Sequence, residues 1–169
     1  KLANKIILPG VGSFDSAIKK LENYGWKEKL KGFVERYEIP ILGICLGMQL
    51  LAEGSDEGHP IEGIGLIDGS VKKLLKNNSN EKIPHIGWNE VNQIKESIIY
   101  KNIPNNTDFY FVHSYHFKVN HLREAIGETP YCAKFVSVIN KLNIYGVQFH
   151  PEKSGRYGIK LLENFINTD

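Results

Sequence analysis

The chain has 169 residues, one domain's worth and enough to bury a full core. Charged residues make up 24% and the net charge is +2, so there is no acidic or basic excess to serve a nucleic acid or a charged surface. No window reaches the roughly eighteen apolar residues of a membrane span and no signal peptide is visible; two cysteines are too few for a disulfide framework and suit a cytoplasmic protein.

The apolar residues Ile6–Leu8 predict a strand within a few residues of the start, followed by a glycine-bearing turn, Pro9–Gly12. Phe14, Ala17, Ile18 and Leu21 recur at helical spacing within a predicted helix from Ser13 to Tyr24. A second amphipathic stretch, Trp26 to Tyr37, precedes an apolar strand, Ile39–Ile44, which passes directly into a helix-forming run from Leu46 to Glu53 that stops at Gly54. Strands alternating with helices predict an α/β fold with a mostly parallel central sheet and helices on both faces. The character then changes. Asp68-Gly69, between two short β-like runs in Ile64–Leu75, gives a hairpin signal, and 77–82 and 102–107 are polar loops. Phe109–His113, Cys132–Ile139 and Ile144–Phe149 have strand character, and Gly158–Ile166 is a closing helix. No repeat, linker or low-complexity tract divides the chain, so residues 1–169 form a single α/β domain with an antiparallel insertion after the second strand's helix. Cys132 falls in one of the strands and is expected to be a small buried hydrophobe.

The junction Gly43-Ile44-Cys45-Leu46-Gly47 carries the strongest chemical signal. A strand that turns this sharply into a helix strains the residue at the turn and tolerates only minimal side chains two positions to either side, the pattern of a nucleophile elbow. Here the nucleophile is a thiol, and the N-terminus of a helix favours thiolate. The same spacing is open to a buried cysteine that merely closes a strand. Downstream, the strand ending at Phe149 runs straight into His150-Pro151-Glu152. An imidazole can take the proton of a thiol and return it to a leaving group, and a carboxylate two residues on can orient the ring. Cys45, His150 and Glu152 form a candidate catalytic triad.

With these residues in view, the chain resembles the class I (triad) glutamine amidotransferases, and within them the branch of the glutaminase subunit of imidazole glycerol phosphate synthase. Pro9-Gly10-Val11-Gly12, Gly43–Gln49, Pro84-His85-Ile86-Gly87-Trp88-Asn89, Phe111-Val112-His113-Ser114-Tyr115 and Gln148–Ser154 carry the resemblance along nearly the whole chain. It implies a flavodoxin-like fold whose usual first strand, helix and strand are missing here, so an amino-terminally truncated domain with an exposed strand edge is expected. It implies hydrolysis of L-glutamine to glutamate and ammonia through a thioester on Cys45. Leu46 and either Val11 or Gly12 would supply oxyanion-hole amides, with the glycines of that turn permitting a peptide flip; a plain strand-to-helix turn is the alternative. Gln49, Glu57, Ser114 and Tyr115 would contact the substrate, although Glu57, like Asp56, could be a solvated loop carboxylate. Trp88 and Lys153 would face a partner subunit, Trp88 being open also to core packing. His113 is divided between an interface and a structural role.

The partner implied is a (β/α)8-barrel cyclase, in a heterodimer, that uses the ammonia to make imidazole glycerol phosphate and AICAR in histidine biosynthesis. Two alternatives keep the chemistry: a related sugar-modifying synthase of surface polysaccharide, to which the unexpected His116 points, and a freestanding γ-glutamyl hydrolase. No cofactor is expected. His59, His85, His116 and His121 have no metal-ligand spacing, so no metal site is expected.

Overall fold

The structure, a computed structural model, describes residues 3–78 and 80–168; Ser79, within the predicted polar loop, and the extreme termini of the predicted domain lie outside the described residues. In chain order the elements are β1 (Ile6–Gly10), α1 (Phe14–Asn23), α2 (Trp26–Arg36), β2 (Ile41–Cys45), α3 (Leu46–Leu50), β3 (Ala52–Ser55), β4 (Ile61–Glu62), β5 (Ile67–Lys73), β6 (His85–Gln93), β7 (Thr107–His113), β8 (Tyr115–Val119), β9 (Ala125–Pro130), β10 (Lys134–Lys141), β11 (Ile144–Val147) and α4 (Gly155–Ile166). A seven-stranded sheet has the order β1-β2-β11-β10-β9-β6-β7, and a four-stranded sheet the order β4-β3-β5-β8.

The α/β class and the helices on both faces hold, but the central sheet is mixed rather than mostly parallel. Within that sheet, parallel pairing is confined to β1-β2-β11, and every later neighbour is antiparallel. A helical crossover through α1 and α2 joins β1 to β2, whereas β11 enters the parallel part by a short turn from its antiparallel neighbour β10.

Side-chain alternation along the central strands divides the core in two. Leu42 and Ile44 of β2, with Tyr145 and Val147 of β11, pack towards Leu161 and Phe165 of α4. Ile41 and Ile144 point the other way, towards Phe14 and Ile18 of α1, Val34 of α2 and Met48 of α3. The α3 side is close-fitting because two glycines make room for it. A Cβ on Gly43 would come within 2.6 Å of the Met48 backbone, and one on Gly146 within 2.7 Å of the Met48 side chain.

Other expectations are corrected. Asp68-Gly69 makes no hairpin: β5 runs straight through it, between β3 and β8. Gly69 sits there at φ +154° because the Phe117 ring and the Lys118 carbonyl press on that position, leaving no space for a Cβ. The helix after Cys45 ends at Leu50 rather than Glu53, since Ala52–Ser55 pairs with β4 and β5. Cys132 is buried as expected, but in the left-handed turn (φ +49°) before β10 rather than in a strand. The closing helix starts three residues early, at Gly155. Strands β6, β8 and β9 were not expected.

Candidate active site

Cys45 sits between β2 and α3 at φ +53° and ψ −110°, a strained conformation for a residue with a side chain. The strain is enforced by packing. Gly43 abuts the Met48 backbone, and any Cβ on Gly47 would collide with the Leu8 carbonyl oxygen of β1. The chain therefore turns within a single residue and presents the thiol at the carboxyl end of the central parallel strand, where ligands of open α/β sheets bind.

The thiol is not the thiolate that its helix-terminal position suggests. Burial pushes Cys45 up to about 11, outweighing the Leu46 backbone N–H and the Gln148 amide that pull it down. With five residues, α3 has little dipole to set against that desolvation. Sγ lies 3.9 Å from the Val112 carbonyl oxygen and 3.6 Å from Gln148 Nε2.

A cavity of about 340 Å³ opens in front of the thiol. Cys45 and Leu46 form its floor with Gln49, and Val11 and Gly12 line it from the turn after β1. Val11 is 79% exposed, and Gly12 lies at φ +102°, a conformation that favours glycine. Glu57, Ser114, Tyr115 and His150 complete the lining, joined by Pro84, Val112 and His113, to which the sequence assigned no firm role.

The polar lining is held by hydrogen bonds. Gln49 Nε2 donates to the Tyr115 carbonyl at 2.9 Å and to Gln148 Oε1 at 3.1 Å. Glu57 is no free loop carboxylate. Its Oε2 accepts the Phe14 backbone N–H at 2.9 Å, at the start of α1. Asp56 pairs with Lys72 on the surface. The Ser114 carbonyl accepts from the Leu74 amide at 2.9 Å.

His150 follows β11 and is 3% exposed, with Nδ1 2.8 Å from Glu152 Oε1. Its Nε2 is buried with no hydrogen-bond partner. The carboxylate holds a proton at Nδ1 and leaves Nε2 without a partner. Ser154 Oγ donates to the His150 carbonyl at 2.6 Å and accepts the Tyr110 amide at 2.9 Å, tying the histidine's turn to β7.

Trp88 and Lys153 lie outside the cavity lining. Trp88 is 57% exposed and meets the Tyr110 ring edge-on at 6.1 Å, so it is not a core residue. Ile86, two residues before it on the same face of β6, is 60% exposed. Lys153 is also exposed, in the 3-10 turn Pro151–Lys153. His113 is buried against His85 and lines the cavity. Gln148, which bridges Gln49 and Cys45, was missed; its only signal was its place two residues before His150. Among the described residues, no three His, Cys, Asp or Glu side chains are grouped to hold a metal ion, and no helix is long and apolar enough to cross a membrane.

A thiol at a strained elbow, lining one cavity with an imidazole that a carboxylate orients, is the equipment of a thiol-dependent acyl transferase or hydrolase. A model of the family "Glutamine amidotransferase class-I" matches residues 2–168, and the chain belongs to that family of enzymes. Within it, the chain is 49% identical to the imidazole glycerol phosphate synthase subunit HisH of Methanocaldococcus jannaschii, over 96% of this chain and 80% of that one. It is 46% identical to the same subunit of Leptospira borgpetersenii, over 99% and 82% of the two chains. The fold matches a crystal structure of a glutamine amidotransferase with a TM-score of 0.70 and 16% identity, over 96% of this chain and 79% of that one. The crystal structure of a glutamine amidotransferase from Thermotoga maritima gives 0.61 and 21%, over 96% and 61%.

Proposed function

We propose that the chain is the glutaminase subunit of an imidazole glycerol phosphate synthase, hydrolysing L-glutamine through Cys45, His150 and Glu152. The observation that carries the reading is the shared cavity, lined by a buried thiol and by an imidazole with Nδ1 held by a carboxylate and Nε2 without a partner. The HisH names of the near full-length relatives support the pathway.

His150 Nε2 takes the thiol proton, and Glu152 offsets the imidazolium charge. Cys45 Sγ then attacks the side-chain amide carbon of glutamine, and the C=O electron pair moves onto oxygen. The Leu46 amide and an amide of the Val11–Gly12 turn stabilise that oxyanion. Collapse breaks the C–N bond as His150 returns its proton to the departing nitrogen, giving ammonia and a γ-glutamyl thioester. Water, deprotonated by His150, attacks the thioester and releases glutamate and the thiol. Gln49 and the free oxygen of Glu57 bind the charged α-carbon end, with Ser114 and Tyr115 beside them.

A thiol raised to about 11 is a poor nucleophile at rest. The isolated chain is therefore expected to be slow, with activation coming from a (β/α)8-barrel cyclase docked through Trp88 and Lys153, in the cytoplasm. The test is glutamate release by the purified chain, alone and with the cyclase and its nucleotide substrate. Strong stimulation by the liganded cyclase is expected. Full activity without a partner would replace this reading with a freestanding hydrolase.

A further inference from the structure

Behind the cavity, a buried histidine pair has no part in the triad. His113 Nδ1 lies 2.8 Å from the Tyr115 carbonyl oxygen, and its Nε2 lies 3.0 Å from His85 Nδ1. His85 Nε2 lies 3.3 Å from Asn89 Nδ2, which also reaches the Pro130 carbonyl at 3.2 Å. The other end of the row reaches the site, because the Tyr115 carbonyl also accepts Gln49 Nε2, and Gln49 bonds Gln148, which bonds Cys45 Sγ.

Both ends of this row have fixed polarity. A backbone carbonyl can only accept, so His113 Nδ1 carries a proton. The Asn89 amide is oriented by two backbone groups: its nitrogen donates to Pro130, and its Oδ1 accepts the Glu90 N–H at 2.9 Å. His85 Nε2 must therefore accept. Burial pushes His113 down to about 3 and His85 down to about 4, so both rings are neutral near pH 7 and carry one proton each. One arrangement satisfies every contact: Asn89 donates to His85 Nε2, His85 Nδ1–H to His113 Nε2, and His113 Nδ1–H to Tyr115. The rings are also held by stacking, since His85 lies 3.8 Å from the Tyr131 ring at 16° and 4.8 Å from Phe111 at 21°.

We infer that His113 and His85 are positioning residues, a one-directional relay of two Nδ1–H imidazoles that fixes the Tyr115 carbonyl and, through it, the Gln49 amide in the substrate cavity. Tyr115 begins β8, at an end of the second sheet, and its carbonyl is the joint between the relay and the catalytic cavity. The consequence for catalysis rests on the glutaminase reading; the proton arrangement does not.

Two measurements on the full chain test the inference. The first is the imidazole nitrogen and proton NMR spectrum at pH 7, with assignments from His85→Phe and His113→Asn. Nδ1–H tautomers at both rings are expected, and an Nε2–H tautomer at either overturns the relay. The second compares glutamine affinity in a Cys45→Ala background with and without His85→Phe, and with His85→Asn. Phenylalanine keeps the stack but leaves His113 Nε2 without its donor. An about tenfold weaker glutamine affinity is expected from an unsatisfied buried acceptor. His85→Asn, with an amide N–H near the lost Nδ1–H, should recover most of it. A lowered thermal midpoint with unchanged glutamine affinity would mean that the pair only supports the fold, and would overturn the positioning role. Failure of the Cys45→Ala chain itself to bind glutamine would strike the glutaminase reading, with the tautomers still deciding the relay.

Discussion

The two halves of the central sheet serve the site in different ways. In the parallel part, β1, β2 and β11 carry contiguous segments whose ends deliver the turn at Val11–Gly12, the thiol of Cys45 and the imidazole of His150 side by side. Every residue of β2 and β11 is buried, so the thiol and the imidazole are fixed by packing, whereas the Val11–Gly12 turn follows the half-exposed β1. In the antiparallel part and the second sheet, β6, β7 and β8 have one open face, and their contributions are held by hydrogen bonds between side chains and carbonyls. Tight packing holds the reacting atoms, while a polar network holds the groups around them.

The largest test of this contrast is at the nucleophile. Cys45→Ala should lower glutamine turnover by about 10⁴-fold or more, while circular dichroism and partner binding stay as in the parent. Normal turnover by that variant would remove the triad altogether. Glu152→Gln is the next step. It keeps the side chain's size but weakens its hold on the imidazole, and kcat should fall by about 10² to 10⁴-fold with little change in KM. A fall of less than about twofold would show that the imidazole is oriented by its packing instead.

Packing in the parallel part is tested by its glycines. Gly43→Ala and Gly47→Ala drive a Cβ into the Met48 backbone and the Leu8 carbonyl, neither of which can swing away as a side chain could. Each should cost about 3 kcal/mol or more in urea unfolding. Gly32, in α2, has nothing within 4 Å of its added Cβ, and Gly32→Ala should gain about 0.4–1 kcal/mol. Equal effects at the three positions would mean that the elbow is looser than its contacts imply.

The same contrast decides what could be read from the sequence. The elbow was legible because its strand, its two glycines and its nucleophile lie within a few consecutive residues, and so was His150-Pro151-Glu152. The antiparallel strands were not. Along β6 only His85 and Val91 are buried, and the apolar residues between them, Ile86 and Trp88, fall on the exposed side. What makes that segment a strand is its pairing with β7, from His85 opposite His113 to Val91 opposite Thr107, a relation across distant positions. Asp68-Gly69 misled for a related reason. The glycine answers the close approach of β8, which comes from far along the chain, and not a local turn. Gln148 was missed because its partners, Gln49 and Cys45, are about a hundred residues away.

The last prediction lies in the antiparallel part and is a loss of stability in acid. His113 and His85 are held down to about 3 and about 4 in the folded chain, whereas an unfolded histidine titrates near 6.5. Between those values the unfolded chain binds a proton at each position and the folded chain does not. Lowering the pH therefore favours unfolding, and the stability present above about pH 6.5 drains away as the pH falls towards 4 and then 3. Each ring can contribute at most about 1.4 kcal/mol per pH unit across its window. The check is the urea midpoint at pH 7.5 and at pH 5. His85→Phe and His113→Asn should each be less stable than the parent at pH 7.5, yet each should lose less on acidification, because one proton-accepting site has gone from the unfolded chain. An undiminished acid loss in both variants would mean that the rings take up protons within the fold, and the antiparallel part would then hold its side of the cavity by some contact other than two neutral imidazoles.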